Sequence, residues 1–236
     1  MDKQTIIESL LKCKLFDHVV MAELIPWQSH FESHTYAKGA IIFREHCRSD
    51  TLFVIHSGRV RFEWYSPEGD SLLINFAADH NFFNEVGMFD DWIPDSRGTA
   101  ESTSTLIEIH KTIFLDMFKS VPKIAQNLAR ISTLNSRALT NIQMKLKTKK
   151  VEYHLLRIIL QLFARFKQTS ADLNVAELPY VAINNEDLAS MLSVSRQTVN
   201  GFLNQWRKLG WIDLHYGKIY ILNLPAMQSC LDSLED

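Results

Sequence analysis

Three polar side chains suited to base recognition lie within five positions of one another: Arg196, Gln197 and Asn200. In the DNA major groove, arginine pairs bidentately with guanine, and glutamine or asparagine with adenine. They follow Ser195, whose hydroxyl can cap a helix by accepting a hydrogen bond from its first N–H groups. This combination predicts a helix that begins after Ser195 and presents a polar first turn to a nucleic acid.

A second short helix is predicted directly before this one. Residues 185–192 carry apolar side chains at helical spacing, and the small Ala189 allows another helix to cross closely. In the following helix, Val199, Phe202 and Leu203 are expected to face the interior. The two helices together predict a helix-turn-helix that binds DNA. An ordinary helical hairpin of an enzyme remains the alternative.

The overall composition is that of a soluble globular protein. The chain has 236 residues, of which 46% are hydrophobic and 22% charged, enough for one large or two modest domains. We find no membrane-length apolar run and no signal-peptide pattern at the N-terminus. Cys13, Cys47 and Cys230 are far apart and odd in number, which argues against a disulfide framework. We therefore expect a cytoplasmic protein.

The charge is divided unevenly along the chain. Residues 1–129 carry 12 Lys and Arg against 18 Asp and Glu, a formal charge of −6. Residues 130–236 carry 13 against 9, a formal charge of +4. A basic C-terminal half beside an acidic N-terminal half is typical of a phosphate-binding module on a sensory body. A solvated helix face with a chance excess of basic residues remains the alternative.

The N-terminal half changes pattern at about residue 36. Residues 4–33 have the spacing of short helices, and His30 and His34 stand four apart, as in a weak helical metal site or, more simply, as two unconnected histidines. Short apolar or alternating runs then predict strands at 40–43, 51–56, 59–65, 71–77 and 97–110, with a hairpin turn at 66–69. A series of short strands separated by turns predicts an antiparallel barrel or roll.

A long helix is predicted from Pro122 to about Lys149, after a short one at 111–118. Its apolar residues form a narrow seam with three–four spacing: Leu128, Ile131, Leu139, Ile142 and Leu146, with Asn135 in the same row. Such a seam indicates a coiled-coil partner, and the identical helix of a second subunit is the simplest one. The alternative is a helix that packs wholly on its own barrel.

The C-terminal region adds a helix at 151–166, a polar loop at 168–176 and a strand at 179–183. A hairpin formed by 211–215 and 219–222 follows the helix-turn-helix, which makes the module a winged helix, and a last short helix is predicted at 225–231. The fold class is therefore α+β. We divide it into a β-roll sensor domain with N-terminal helices (1–120), a long dimerisation helix (121–150) and a winged helix-turn-helix DNA-binding domain (151–236).

This order of parts resembles the Crp–Fnr family of transcription regulators, also called catabolite activator protein-like, over about residues 15–223. The most specific stretches are SVSRQTVNGFLNQWRKLGWI, similar to the family's recognition helix, and FFNEVGMF followed by DSRGTA, similar to its phosphate-binding cassette. The resemblance implies a roll like a cyclic-nucleotide-binding domain, a homodimer, and binding to a palindromic operator in double-stranded DNA. It also implies RNA polymerase as a partner.

For DNA contacts, the resemblance implies that Arg196 binds guanine. Gln197 stands where many relatives have glutamate, so its base preference can differ. Gly201 stands where some relatives have a second base-contacting arginine, a loss for which Asn200 can partly compensate. Phosphate contacts are implied for polar residues of the recognition helix and the wing: Ser195, Thr198 and Lys218, with Asn184 and His215 as further candidates.

For the effector, the resemblance implies a site at Asn84, Glu85, Arg97 and Gly98. Glu85 and Arg97 match the residues that hold the ribose hydroxyl and the cyclic phosphate in cyclic-nucleotide-binding members. Asn84 replaces a glycine, and Gly98 replaces a serine or threonine. A cyclic nucleotide such as cyclic AMP is thus one candidate effector. The alternative is an internal ion pair between Glu85 and Arg97 in a roll that is empty or differently filled.

The function expected from these features is that of a homodimeric, sequence-specific DNA-binding transcription regulator controlled by a small effector bound in the roll. We predict no enzyme, because no nucleophile–base constellation occurs in the sequence, and we predict no metal site and no membrane partner. The alternative is a small-molecule- or cyclic-nucleotide-binding module that regulates a protein partner without sequence-specific DNA binding.

Overall fold

The structure is a computed structural model that describes residues 1–65, 71–90, 93–148, 150–166, 179–215 and 217–235. It divides into two compact units, Met1–Ala138 and Leu139–Asp236. The turn predicted at 66–69 and the polar loop predicted at 168–176 lie outside the described residues.

The N-terminal unit begins with the predicted short helices. They are α1 (Lys3–Leu10), a 3₁₀ turn (Lys14–Phe16), α2 (Met21–Leu24) and a second 3₁₀ turn (Ile25–His30). Asp2 caps α1, because its Oδ1 accepts a hydrogen bond from the backbone N–H of Thr5 at 2.9 Å.

In the described part of this unit, eight antiparallel strands form two four-stranded sheets, which confirms the predicted roll. The strands are β1 (Glu32–Tyr36), β2 (Ile41–Phe43), β3 (Thr51–Ser57), β4 (Arg59–Tyr65), β5 (Ser71–Ala78), β6 (Phe82–Phe83), β7 (Ser96–Ala100) and β8 (Ser104–His110). One sheet has the order β1-β8-β3-β6 and the other β2-β7-β4-β5.

Two predictions for this region are wrong. The helical pattern assigned up to residue 33 ends at His30, and β1 begins at Glu32, so His30 and His34 do not share a helix face. The described residues contain no group of three or more histidines, cysteines or carboxylates that could hold a metal ion. The single strand predicted at 97–110 is broken at 101–103, and its two parts belong to different sheets.

A close contact between Gly58 and Ser104 stabilises the interruption between β7 and β8. The Ser104 side chain is fully buried, and its Oγ accepts a hydrogen bond from the backbone N–H of Arg59 at 3.0 Å. Gly58 has φ +105°, and a Cβ at this position would lie 2.6 Å from Ser104 Cα. The chain therefore needs a glycine here, where it crosses between the sheets.

The core of the unit is divided by β3, which is buried on both faces. Phe53 and Ile55 pack with Val60, Phe83 and Leu106 inside the roll. Leu52 and Val54, on the other face, pack with α1 and with the following helices α3 (Lys111–Ser120) and α4 (Pro122–Thr148). Alternation along one strand thus builds two cores, one within the roll and one beneath the helices.

The long helix α4 has almost the predicted length and begins with proline at its first position. Its predicted seam is buried at Leu128, but Asn135 is exposed and Leu139 has 62% of its surface exposed. Leu134 is also 53% exposed. The side chains of residues 141–149 lie outside the described set. Two leucines of α4, Leu134 and Leu139, are therefore open to solvent, and Leu139 belongs to the predicted seam.

The C-terminal unit contains the predicted winged helix. Its elements are α5 (Val151–Phe166), β9 (Tyr180–Ala182), α6 (Asn185–Leu192), α7 (Arg196–Lys208), β10 (Ile212–His215), β11 (Lys218–Ile221) and α8 (Leu224–Glu235). Between residues 179 and 221 the strands form one antiparallel sheet in the order β10-β11-β9. The last helix is longer than the predicted 225–231. Across the described residues, no helix has the length and hydrophobicity needed to span a membrane.

Candidate DNA-recognition and effector sites

Hydrogen bonds at both ends of α6 fix the turn of the helix-turn-helix. Asn184 caps α6, because its Oδ1 accepts a hydrogen bond from the backbone N–H of Asp187 at 2.7 Å. Ser193 ends the helix in the left-handed conformation (φ 52°), and the backbone N–H of Val194 donates to Ala189 O at 3.0 Å. This helix end matches the Schellman motif, which directs the chain sharply into α7.

Ser195 caps the recognition helix α7, as the sequence predicts. Its Oγ accepts a hydrogen bond from the backbone N–H of Thr198 at 3.1 Å and lies 2.8 Å from Thr198 Oγ1. Arg196 and Gln197 follow in the first turn, and both are exposed. A capped helix N-terminus, with its partial positive charge, thus carries the two predicted base-contacting side chains at its start.

The opposite face of α7 is anchored in the core of the C-terminal unit. Val199 and Leu203 are fully buried as predicted, but Phe202 is only half-buried. Trp206, absent from the predicted core, is fully buried, and its Nε1 donates to Glu152 Oε1 at 3.4 Å. Position 206 continues the 199–203 row by three residues, so helical spacing could have identified it.

The sequence predicts that Asn200 faces outward, and the structure differs on this point. Its side chain is half-buried, and its Oδ1 accepts a hydrogen bond from Asn185 Nδ2 on α6. Bidentate pairing with adenine requires both the oxygen and the nitrogen of an asparagine amide. While this contact holds, Asn200 joins the two helices instead of offering both groups to a base. Asn185 is a residue that the sequence did not single out.

On the wing, Lys218 begins β11 and is half-buried. Its Nζ lies 4.2 Å from the centroid of the Tyr180 ring, a cation–π contact that holds the ammonium group beside the sheet. At the facing end of β10, His215 Nε2 lies 2.7 Å from Asp213 Oδ2. Asp213 therefore offsets part of the charge that a protonated His215 would bring to a phosphate.

In the roll, Asn84 has a left-handed backbone conformation, which glycine adopts most easily. Its φ is +69°, in the left-handed region that asparagine tolerates better than most residues. Its Nδ2 donates to Ser49 O at 3.1 Å and to Thr51 O at 2.8 Å. The Asn84 amide nitrogen therefore ties the cassette to the preceding loop.

Arg97 forms an ion pair, but with Glu45 and not with Glu85. Its Nε donates to Glu45 Oε2 at 2.7 Å and its Nη2 to Glu45 Oε1 at 2.5 Å, while its Cζ lies 4.2 Å from the Tyr65 ring centroid. The hydrogen bond from Arg97 lowers the pKa of Glu45 to about 2. The alternative of an internal ion pair between Glu85 and Arg97 is therefore wrong. The partner of Arg97 is Glu45, which the sequence did not identify.

Gly98 faces an aromatic ring. It pairs with Phe43 across β2 and β7, and a Cβ at Gly98 would lie 2.7 Å from Phe43 Cδ1. The ring therefore occupies the space that a serine or threonine side chain would need at this position.

A cavity of about 250 Å³ lies beside these residues. It is lined by Phe43, Phe62, Ile74, Asn75, Phe83, Asn84, Glu85, Val86, Pro94 and Ser96. Of the four predicted effector residues, the cavity wall includes Asn84 and Glu85 but not Arg97 or Gly98. Burial raises the pKa of the Glu85 carboxyl above its ordinary value.

Comparison with protein families matches both units in the same order. A cyclic nucleotide-binding domain matches residues 33–121, and a Crp-like helix-turn-helix domain matches residues 154–230. The first match contains the roll and its cavity, and the second contains α6, α7 and the wing.

Individual relatives match most of the chain. A CRP-like cAMP-activated global transcriptional regulator from Mycobacterium tuberculosis is 24% identical over 215 residues, which cover 91% of this chain and 94% of the relative. The Cyclic AMP receptor protein of Thermus thermophilus is 22% identical over 200 residues, covering 85% and 88%.

Solved structures share the fold. A CRP/FNR-family transcriptional regulator from Thermus thermophilus has a TM-score of 0.66 at 20% identity, covering 86% of this chain and 100% of that one. A putative crp/fnr-family regulator from Eubacterium rectale has a TM-score of 0.68 at 16% identity, covering 94% and 99%. Since the two matched domains and the full-length relatives agree, the chain belongs to the Crp–Fnr family of transcription regulators, which combine an effector-binding domain with a helix-turn-helix DNA-binding domain and are not enzymes.

Proposed function

We propose that this transcription regulator acts as a homodimer on a two-fold symmetric operator and is controlled by a small effector bound in the roll. The observation that carries this proposal is the recognition helix α7, which is capped by Ser195 and exposes Arg196 and Gln197. In this arrangement the helix enters the major groove with its first turn directed at the bases.

Different residues of the module take different parts in DNA binding. Arg196 pairs with guanine, Gln197 contacts the neighbouring base, and Ser195 and Thr198 lie where phosphate would approach the helix N-terminus. Asn200 acts on recognition through its contact with Asn185, which fixes α6 against α7. Lys218 adds a phosphate contact from the wing.

The partner subunit covers the apolar surface of α4. Leu134 and Leu139 are exposed, although leucines on a helix of this length normally face a core or another helix. A second copy of the same helix packed along the predicted seam would bury Leu139 and would pair the two recognition helices. We accordingly assign residues 121–150 to dimerisation, between the roll domain (1–120) and the DNA-binding domain (151–236). RNA polymerase is the expected further partner, and the cytoplasm the expected location.

A cyclic nucleotide is the first effector to test, because the roll matches a cyclic nucleotide-binding domain and two relatives are named for cyclic AMP. The residues of this chain do not fit its phosphate. Arg97 is engaged by Glu45, and Phe43 covers Gly98. The effector therefore controls the protein from the roll cavity without relying on these two residues.

Control would operate by a shift between two arrangements of the dimer. An effector that binds one arrangement more tightly raises its population, and the arrangements differ in the angle between the long helices. That angle sets the separation of the two recognition helices, which must match two successive major grooves.

Arg196→Ala tests base recognition. We expect the substitution to weaken specific operator binding by about 1–3 kcal/mol, because it removes one bidentate base contact. Fluorescence anisotropy with an operator duplex and a scrambled duplex measures the difference.

Arg207→Ala is the matched control, because Arg207 is an exposed arginine in the last turn of the same helix. It should weaken both duplexes to a similar, salt-dependent extent. Equal losses on operator and scrambled DNA for Arg196→Ala would contradict the assigned role.

Leu139→Asp tests the dimer. A buried, unpaired carboxylate in a coiled-coil seam is strongly unfavourable, so the variant should sediment as a monomer and lose most of its operator affinity. Thr133→Asp, on the opposite face of α4, is the control and should remain dimeric. If Leu139→Asp sediments like the wild type, the seam is not the subunit interface.

A further inference from the structure

We propose that the roll cavity selects a small, uncharged, largely apolar ligand about the size of a monosubstituted benzene, in preference to a nucleotide or another anion. The proposal rests on the proposed function, since this ligand would be the effector of the regulator.

The cavity wall is mainly aromatic and aliphatic. Phe43, Phe62 and Phe83 form a connected cluster, with ring centroids of Phe62 and Phe83 5.1 Å apart in an edge-to-face arrangement. Phe43 lies 6.0 Å from each of the other two. Pro94 is buried, and Ile74 and Val86, each about half exposed, complete the apolar lining on the side where the cavity opens to solvent. An aromatic ring entering this space would gain further ring contacts of the kind the three phenylalanines already make.

The charge of the wall disfavours an anion. Among the described residues that line the cavity there is no lysine and no arginine, and Glu85 is the ionisable side chain present. A phosphate or carboxylate placed here would lose hydration without gaining a cation, and it would face an acidic group. Burial favours the neutral form of Glu85, which disfavours charge at this wall in general.

Arg97 could supply the cation that an anionic ligand needs, but it is already bound by Glu45. Both oxygens of Glu45 accept hydrogen bonds from Arg97, and the Tyr65 ring lies against its guanidinium. To bind a phosphate, Arg97 would have to leave a bidentate ion pair, and Phe43 would have to move away from Gly98.

The volume of the cavity and the polar side chains of its wall restrict the choice of ligand further. An apolar cavity of roughly 150 Å³ is enough for benzene, so about 250 Å³ leaves room for a ring with one small substituent. The polar side chains of the wall are Asn75, Asn84, Glu85 and Ser96. A hydroxyl substituent can meet such groups as donor and acceptor.

Calorimetric titration of the full chain with three probes tests the proposal. Benzyl alcohol is the neutral probe, benzoate its anionic counterpart of nearly equal size, and cyclic AMP the nucleotide. We expect benzyl alcohol to bind at least about tenfold more tightly than benzoate or cyclic AMP, since only the anions would bury a charge without a cation. Absence of benzyl alcohol binding, or tighter binding of either anion, would overturn the proposal.

Two tryptophan substitutions locate the binding site. Ile74→Trp places a larger side chain in the cavity wall and should abolish the heat of benzyl alcohol binding. Leu72→Trp lies on the same strand outside the wall and should preserve it. Equal loss in both variants, or in neither, would overturn the assignment to this cavity.

Arg97→Ala separates the two ligand classes. It should change benzyl alcohol binding by less than about twofold, because Arg97 does not line the cavity. Cyclic AMP binding by the wild type that disappears in Arg97→Ala would overturn the proposal. Operator binding is measured on the same samples, so that a failure of the regulator function remains distinct from a failure of the ligand assignment.

Discussion

The recognition helix and the roll cassette use their polar side chains in opposite ways. On α7, Arg196 and Gln197 extend into solvent, and the hydrogen bonds that hold the helix are made by Ser195 and Thr198 beside them. In the cassette, Arg97 is bound by Glu45, and the amide nitrogen of Asn84 by two carbonyl oxygens. Arg196 and Gln197, the side chains predicted to contact bases, are therefore exposed, whereas Arg97 and Asn84, two of the side chains predicted to contact an effector, are engaged within the protein.

Alanine substitutions at Gly98 in the roll and at Gly201 in α7 test the difference between the two regions. We expect the larger change in unfolding free energy for the substitution in the roll. Gly98→Ala would place a methyl group against Phe43, whose ring is held by Phe62 and Phe83. We expect the overpacking to cost about 1–3 kcal/mol of unfolding free energy, measured by urea denaturation. The variant Phe43→Leu/Gly98→Ala should recover part of the loss. An unchanged unfolding midpoint for Gly98→Ala would show that the ring moves freely and that the position is open to a ligand.

Gly201→Ala should have a smaller effect of the opposite sign. Gly201 lies within α7, and a Cβ there would meet no atom of the protein within 4 Å. Alanine should stabilise the helix by about 0.5–1 kcal/mol, because glycine loses more backbone entropy in a helix. Urea denaturation checks the gain, and a loss of stability would contradict the exposed helical environment assigned to this residue.

Two glutamates of the roll should respond to pH in opposite directions, with the smallest changes of the three predictions because the Glu45–Arg97 pair is partly exposed. The pKa of Glu45 is lowered from 4.5 to about 2, so its stabilising contribution is present above pH 4.5 and is lost as the pH falls toward 2. The pKa of Glu85 is raised, so its contribution is present below 4.5 and is lost as the pH rises through the raised value.

Unfolding of Glu45→Gln and Glu85→Gln from pH 3 to pH 7 measures these contributions. Relative to wild type, Glu45→Gln should be most destabilised at pH 7, whereas Glu85→Gln should become relatively more stable as the pH rises. The same direction of change in both variants would contradict the different environments assigned to the two carboxyl groups.

The sequence predicts the recognition helix well because its signals are local. Ser195 and Thr198 are three positions apart, and the turn after α6 is closed by residues 189 and 194. Side-chain spacing of this kind is visible in any single sequence. The contact of Asn200 with Asn185 is not visible in this way, because the two residues are 15 positions apart, across the turn.

The sequence predicts the roll less completely because the decisive contacts of the roll are not local. Glu45 and Arg97 are 52 positions apart, and Phe43 meets Gly98 only through the register of β2 with β7. The pattern of β1 is not recognisable because ESHTY has no buried residue and therefore shows no apolar alternation. A resemblance could place the cassette, but only the fold shows which groups of the cassette are already engaged.

Selection of bound duplexes from a random DNA library tests the central claim most directly, namely that α7 is one of a pair of base-contacting helices. We expect enrichment of a two-fold symmetric sequence whose half-sites are centred about 10–10.5 base pairs apart, or a multiple of that spacing. The same selection with Arg196→Ala should relax the preference at one position in each half-site. Recovery of DNA without any sequence preference, at salt concentrations that remove nonspecific binding, would contradict the account.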